Sequence, residues 1–310
     1  MKRQAAFAAP GSFLKGALHC HTTRSDGKGD PAEVIRLHKE NGYDFMVVTD
    51  HRLYNYDHFG VEGITIIPGM EMDANFKKRN KRAAVHCHHI VSIGPVTGNG
   101  FHQDQRFERM FIDQPEETQE MLDMLHENGN MTIYCHPEWS GTPARDFDML
   151  RGNFAMEIWN SGCAIENRMD MNAACWDELL AQGQTIFGVA TDDGHEMHHH
   201  CNGWVMVRSE NSVPAILDAL KAGAFYASCG PEIHDFYIED GMAHIACSPV
   251  KEIHFHHLRT PFRVIEKGED DLTRGSVKLR ASGYIRASVV DDEGRRAWTN
   301  PIFFEDDELP

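Results

Sequence analysis

Short apolar runs that break off into histidine or a carboxylate recur along this chain, and that recurrence limits the folds open to it. Phe45-Met46-Val47-Val48-Thr49 stops at Asp50-His51, and Ile64-Thr65-Ile66-Ile67 passes through Pro68-Gly69 to Glu71. Met131-Thr132-Ile133-Tyr134-Cys135 runs into His136-Pro137, and residues 185–190 run into Asp192-Asp193-Gly194-His195. Short runs of this kind bounded by turn residues read as strands buried on both faces. Residues 85–93, 154–159, 203–207 and 224–228 add further strands. Between them lie helical stretches. Asp30-Pro31-Ala32-Glu33 supplies an N-cap, a proline in the first turn and a glutamate at N3, and Asn41-Gly42 ends that helix. Residues 115–128, 168–181 and 212–222 read as three more. Strands alternating with helices imply a parallel sheet, and about seven strands are enough to close a β/α barrel. Reactive residues in such barrels sit at the C-terminal ends of the strands, where His51, Glu71, His136, Asp193 and His195 all fall.

Two stretches depart from this pattern. Residues 97–114 form a long segment that reads either as a lid over a site or as a surface loop. From about Pro231 the helical signals stop, and runs such as 252–257, 276–279 and 286–290 predict a small antiparallel β-domain. The expected organisation is a lead over 1–15, read as short and disordered rather than as a signal peptide, a barrel over 16–230 and a β-domain over 231–310.

The motif with the most chemistry in it is His19-Cys20-His21. Alternate residues of a strand share a face, so the two imidazoles point together, about 7 Å apart along the backbone, while Cys20 turns into packing. Paired imidazoles clamp a divalent metal, and Asp26 can add a hard oxygen. Histidine is abundant, 20 residues in all, and clusters at 19–21, 86–89, 195–200 and 254–257. The net charge of −17 argues against duplex nucleic acid as a partner, because that affinity rests on Lys and Arg neutralising phosphates. A small anion is not excluded, since bound metal reverses the local field. No apolar run reaches membrane-spanning length. The eight cysteines form no C-x-x-C pair, which fits reduced thiols and a cytoplasmic location.

Taken in order, His19-x-His21 with Ser25-Asp26-Gly27, Thr49-Asp50-His51, Gly69-Met70-Glu71, His89-Ile90-Val91, His136-Pro137 and Asp193-Gly194-His195 resemble the PHP (polymerase and histidinol phosphatase) metal-dependent phosphoesterases. The resemblance covers about residues 16–230, and the ending around residues 284–302 is similar to the β-domain of some bacterial members. It implies an irregular seven-stranded β/α barrel and a site of two or three divalent ions, Zn, Mn or Fe. It also implies three ligand sets: His19, His21 and Asp193 with Glu71 bridging; Glu71 with His89 and His136; and Asp26, His51 and His195. A metal-activated hydroxide would then attack a phosphate ester, monoester or diester.

Some assignments stay open at this stage. His86, His88 and His89 compete for one place, and the family pattern favours His89. Asp192 competes with Asp193, and the same pattern favours Asp193. Asp192 and Asp50 are candidates to stand behind the ligands and orient an imidazole. Arg24 and Arg145 are candidates to grip phosphate or are surface arginines. Trp139 either stacks on substrate or packs. The basic run over residues 77–82 reads as a solvated loop or a steering patch. His198, His199 and His200 are placed near the mouth of the site, and His254, His256 and His257 are read as non-ligands. The expected partner is a small phosphorylated molecule, with nucleotides and short oligonucleotides among the candidates. The competing functions are a metallohydrolase of non-phosphate esters or amides and a non-catalytic metal-binding regulatory module.

Overall fold

The computed structural model describes residues 3–77, 86–95, 101–169, 172–257, 260–279 and 283–305. The first part of the chain contains β1 (Gln4–Ala5), β2 (Ser12–Ala17), α1 (Pro31–Glu40), β3 (Phe45–Val47), β4 (Thr65–Ile67), β5 (Gly69–Phe76), β6 (Cys87–Ile93) and β7 (Met110–Ile112). Then come α2 (Thr118–Glu127), β8 (Met131–Tyr134), β9 (Asn153–Asn160), α3 (Ser161–Asn167), α4 (Asn172–Ala181), β10 (Phe187–Thr191), β11 (Trp204–Ser209), α5 (Val213–Lys221) and β12 (Phe225–Ser228). Beyond these the described residues hold strands only: β13 (Ile233–Glu239), β14 (Met242–Val250), β15 (Glu252–His257), β16 (Thr260–Glu266), β17 (Leu272–Lys278), β18 (Gly283–Val290), β19 (Arg296–Thr299) and β20 (Ile302–Phe304).

The fold is α/β with a β-rich C-terminal part. Helix α1 begins as its sequence dictates: the Asp30 side chain accepts the Ala32 N–H, and Pro31 fills the first helical position. Val34, Ile35 and His38 form its buried face. Strands β2 to β12, expected as one parallel set, lie in two mixed sheets, while β1, β13, β14 and β17 form a third. One has the order β10-β9-β8-β6-β5-β7, with β6 antiparallel to both β5 and β8. The other runs β16-β15-β18-β19-β12-β11-β2-β3-β4, with β2, β3 and β4 parallel and β11 antiparallel to its neighbours. The reason lies partly in loop length. About ten residues separate β5 from β6, fewer than a helical crossover between parallel strands requires. Isolated parallel bridges, Cys20 to Gly194 past the ends of β2 and β10 and His51 past β3 to Glu71 near the start of β5, join the two sheets.

One apolar core is enclosed between these sheets, drawing Phe45, Val47, Ile67, Val91, Ile133, Val189 and Val205 from six different strands. Gly16 is needed there, since a Cβ would lie 2.0 Å from the Phe45 ring. A second core, around Ile233, Phe236, Ile253, Phe255 and Val289, fills the β-rich part. Phe7 joins it, and Gln4 and Ala5 pair with Ile238 and Tyr237, so these residues are packed where a disordered lead was expected. The β-rich part shares a sheet with the rest through β12 and β19. All eight cysteines are free thiols. No helix among the described residues is long and apolar enough to cross a membrane.

A buried ion pair also ties the β-rich part to α4. Arg286 on β18 donates to both Asp177 oxygens, at 2.9 and 2.6 Å, and its guanidinium lies 4.7 Å from the Trp176 ring centroid. Removing one partner of such a pair leaves a buried charge uncompensated, at a cost of about 3–5 kcal/mol. Asp177→Ala should therefore lose about 3 kcal/mol or more in urea unfolding. A loss below about 1 kcal/mol would mean that the pair behaves as a solvated one.

Candidate metal centre

Glu71, near the start of β5 and wholly buried, has both carboxylate oxygens among imidazoles. Oε1 lies 2.9 Å from His89 Nδ1 and 3.4 Å from both His19 Nε2 and His136 Nε2. Oε2 lies 2.8 Å from His51 Nδ1 and 3.3 Å from His21 Nε2. The strands deliver these rings. His19 and His21 follow β2, His51 follows β3, His89 lies on β6 and His136 follows β8. Asp193, just past β10, approaches His21 Nε2 at 3.1 Å, His19 Nε2 at 3.3 Å and His136 Nε2 at 3.7 Å. Asp26, His51 and His195 form an outer group, with Asp26 oxygens 3.5 Å from His51 Nε2 and 3.4 Å from His195 Nε2. All nine candidate ligands are thus brought to one place.

Strand parity separates His88 and His89 of β6. His89 faces Glu71, whereas His88 turns into the core with its Nδ1 2.6 Å from the Tyr134 hydroxyl. Burial and the neighbouring His86 and His89 push the His88 imidazole down to about 3. His86 stacks on Phe76, its ring centroid 3.9 Å away.

Several supporting assignments are corrected. Asp50 touches no imidazole: it accepts the Thr22 N–H and the Thr22 and Ser25 hydroxyls, fixing the 22–27 turn, and reaches His21 only through Ser25. Asp192 faces away from the cluster and accepts the N–H groups of Cys201, Asn202 and Gly203. Arg24 is engaged with Asn55 and Asp104. Arg145 is a surface side chain beside Asp146, 83% exposed. Trp139 packs edge-on against His136 and lines the cavity over the site, about 340 Å³ in volume. Of the 97–114 segment, residues 101–107 pack near Tyr54 and Arg24, with Tyr54 donating its N–H to Gln105 O. Lys77 pairs with Asp113, and the rest of the basic run, with residues 97–100, lies outside the described residues. His254, His256 and His257 contact Glu252, Ser288 and the Tyr284 carbonyl. His199 lies at the cavity wall, 3.4 Å from Glu166, while His200 is buried elsewhere.

Two supporting residues are not evident from sequence. Glu157 on β9 accepts from His19 Nδ1 at 2.7 Å and Thr191 Oγ1 at 2.6 Å through one oxygen, and from His136 N and Asn160 Nδ2, each at 2.9 Å, through the other. That fixes the His19 proton on Nδ1 and turns Nε2 toward Glu71. Asn160 Nδ2 also donates to Asp193, while its Oδ1 caps α3 by accepting the Cys163 N–H. A lone carboxylate inside the apolar run 153–160 was the available signal for Glu157. Helix α3 shows no clear helical pattern, which left the cap of Asn160 unread.

The donor set fits divalent metal. His51 Nδ1, Glu71 Oε2 and Asp193 Oδ1 are buried without a well-formed hydrogen bond. The Nε2 atoms of His19 and His21 face each other at 3.1 Å. Imidazoles and carboxylates that converge without satisfying one another suit Zn-, Mn- or Fe-type ions. Without such ions, protons hold the cluster together. Burial pushes His51 down, but Glu71 and Asp26 outweigh it and carry it up to about 10. His195 is likewise carried up to about 9, against burial, by Asp26 and Asp193. Burial also pushes the Glu71 carboxyl up, and the surrounding His89, His51 and His19 hold it well below its usual range.

Comparison with known proteins adds three solved structures. A two-domain protein from Bacteroides vulgatus, described as containing a predicted PHP-like metal-dependent phosphoesterase, is 14% identical, with a TM-score of 0.49 over 95% of this chain and 98% of that one. An amidohydrolase from Chromobacterium violaceum is 12% identical, with a TM-score of 0.42 over 59% of this chain and 88% of that one. A protein from Bifidobacterium adolescentis named as a candidate metal-dependent phosphoesterase is 12% identical, with a TM-score of 0.39 over 60% and 88%. No protein-family model and no curated protein matches the chain.

Two measurements follow from the geometry. Glu157→Gln should weaken metal binding about 10- to 100-fold in chelator competition, since an amide cannot accept from all four donors. An unchanged affinity would remove Glu157 from the support of His19. Metal must also displace the protons on His51 and His195. Calorimetry in buffers of different ionisation enthalpy should therefore show net proton release at neutral pH, with affinity rising as pH climbs toward 9 to 10. No release would mean that the imidazoles are already neutral. Two of the three structures are named as metal-dependent phosphoesterases, one of them as PHP-like.

Proposed function

We propose that this chain hydrolyses phosphate esters at a centre of two or three divalent ions held by His19, His21, Asp26, His51, Glu71, His89, His136, Asp193 and His195, on a barrel of the PHP type. The observation that carries the reading is the placement of the Glu71 carboxylate, with imidazoles from separate elements against each oxygen. That is the arrangement a bridging ligand needs. Ions bound there supply Lewis acidity toward a phosphoryl oxygen and an acidified water.

The chain's own residues shape the rest. Glu157 and Asn160 hold His19 and Asp193 in position from behind. Trp139 walls one side of the cavity, leaving room for a small phosphorylated substrate, and Lys28 lies on its rim, an exposed cation where a phosphate would enter. Arg24 and Arg145 have no part in this arrangement. A cytoplasmic location belongs to the same proposal and rests on the free thiols.

The test is a screen of metal-loaded protein against nucleotides, sugar phosphates and aryl phosphomonoesters and diesters, beside carboxylic esters and amides. Phosphate-ester turnover is expected. Turnover of only esters or amides would overturn the substrate class, and none at all the enzyme. On the best substrate, Glu71→Gln should lower kcat/KM on the order of 10³-fold, about 4 kcal/mol, and shed metal. Asp26, with its side chain 55% exposed at the outer group, should matter less when changed to Asn. Near-normal activity and metal content in Glu71→Gln with a dead Asp26→Asn would mean that Glu71 does not bridge.

A further inference from the structure

Asp192 and Asp193 are consecutive and face opposite ways. Behind the turn that carries Asp193 into the centre, Asp192 meets His38 of α1 and His200 of the 195–200 segment, with exposures of 0%, 0% and 5% for Asp192, His38 and His200. His38 Nδ1 lies 2.9 Å from the Val34 carbonyl, which can only accept, so that nitrogen carries the proton. In a neutral ring Nε2 is then a bare lone pair, and it points at Asp192 Oδ2 from 3.5 Å. Both nitrogens of His200 are buried without a partner, as is His38 Nε2. One ligand atom from each of the three residues lies within 4.8 Å of the others. Two ligands on a tetrahedral zinc at about 2.0–2.2 Å are roughly 3.4 Å apart, close to the His38–Asp192 separation.

We propose that His38, Asp192 and His200 hold a structural divalent transition metal, best matched by zinc, at a second site outside the Glu71 centre. Two neutral imidazoles and one carboxylate are a donor set zinc accepts, and all three side chains are buried. Asp192 is pre-set for the role, because three backbone N–H groups already fix its carboxylate. Gly194 lets His200 come close: a Cβ there would lie 2.3 Å from the His200 ring. The ion would tie α1, the end of β10 and the 195–200 segment together directly behind Asp193 and His195. It would stabilise that turn without entering the cavity. The proposal stands apart from the phosphoesterase reading, since none of its three residues belongs to the ligand set of the first centre.

The decisive experiment is anomalous diffraction at the zinc edge from crystals of the full chain loaded with Zn²⁺. A peak is expected about 2.0–2.2 Å from His38 Nε2, Asp192 Oδ2 and one His200 nitrogen, whatever the Glu71 centre contains. Absence of a peak there overturns the proposal. Elemental analysis gives an independent reading. His200→Ala should lose about one zinc per chain, whereas Glu71→Gln should keep that ion while losing those of the first centre. A folded His200→Ala protein with the full wild-type zinc content also overturns the proposal. If that variant does not fold, the wild-type diffraction result decides.

Discussion

The rest of the structure depends on keeping the buried Glu71 carboxylate charged. An ionised carboxylate moved into a protein interior costs several kcal/mol unless its partners restore what hydration gave. Here the partners are five imidazoles from four strands and the turns after them, and no stretch of sequence supplies more than two. The two sheets must therefore meet along one line, and the bridge between His51 and Glu71 lies on that line. Moving either sheet by one residue would exchange the faces of alternate side chains and put apolar groups against the carboxylate. The apolar core between the sheets and the polar centre at its mouth thus demand the same register.

Backbone conformation at the centre is costly, and the supporting residues show how it is held. His136 and Asp193 both have positive φ, at 25° and 47°, a region that costs a side-chain-bearing residue on the order of 1–3 kcal/mol. Glu157 accepts the His136 N–H, His19 offers its carbonyl to the Asp193 N–H, and Asn160 binds the Asp193 side chain. The hydrogen bonds that restrain these strained residues also orient His19. One strand, β9, carries both tasks, which is why its single glutamate is invisible to any search for ligands. It touches the ligands from behind.

How much of this could be read beforehand follows from which physical rule governed each residue. The paired His19 and His21, the strand-end positions of His51, His136 and Asp193, and the capped start of α1 are local facts of period and spacing, and the sequence carries them. The odd-or-even position of His88 and His89 decides between core and centre, but only once the strand is located. Asp50 and Asp192 misled because adjacency in sequence suggested a shared task, while consecutive residues point to opposite sides of an extended chain. Asp50 was spent on the turn, and Asp192 on the far side. Sheet direction was missed for another reason. Antiparallel β6 sits between parallel neighbours, and an apolar run reads the same in either direction.

An acidic chain proposed to act on small anions needs its charge arranged on two scales. The net charge of −17 acts at a distance, where salt screens it within about 10 Å. Near the cavity the balance is different. Glu71, Asp26 and Asp193 converge on His19, His21, His51, His89, His136 and His195, and the carboxylates hold protons on several of those rings in the absence of metal. Cationic rings and bound ions are interchangeable in sign, so the floor of the cavity resists a negative field in both states. On the function proposed above, acidic residues elsewhere would repel duplex nucleic acid and other large anions, whose charges must approach many surface groups together. A small phosphorylated substrate would need to meet only the floor and the Lys28 rim. The charge distribution that would reject the polymer is thus compatible with the short ester proposed.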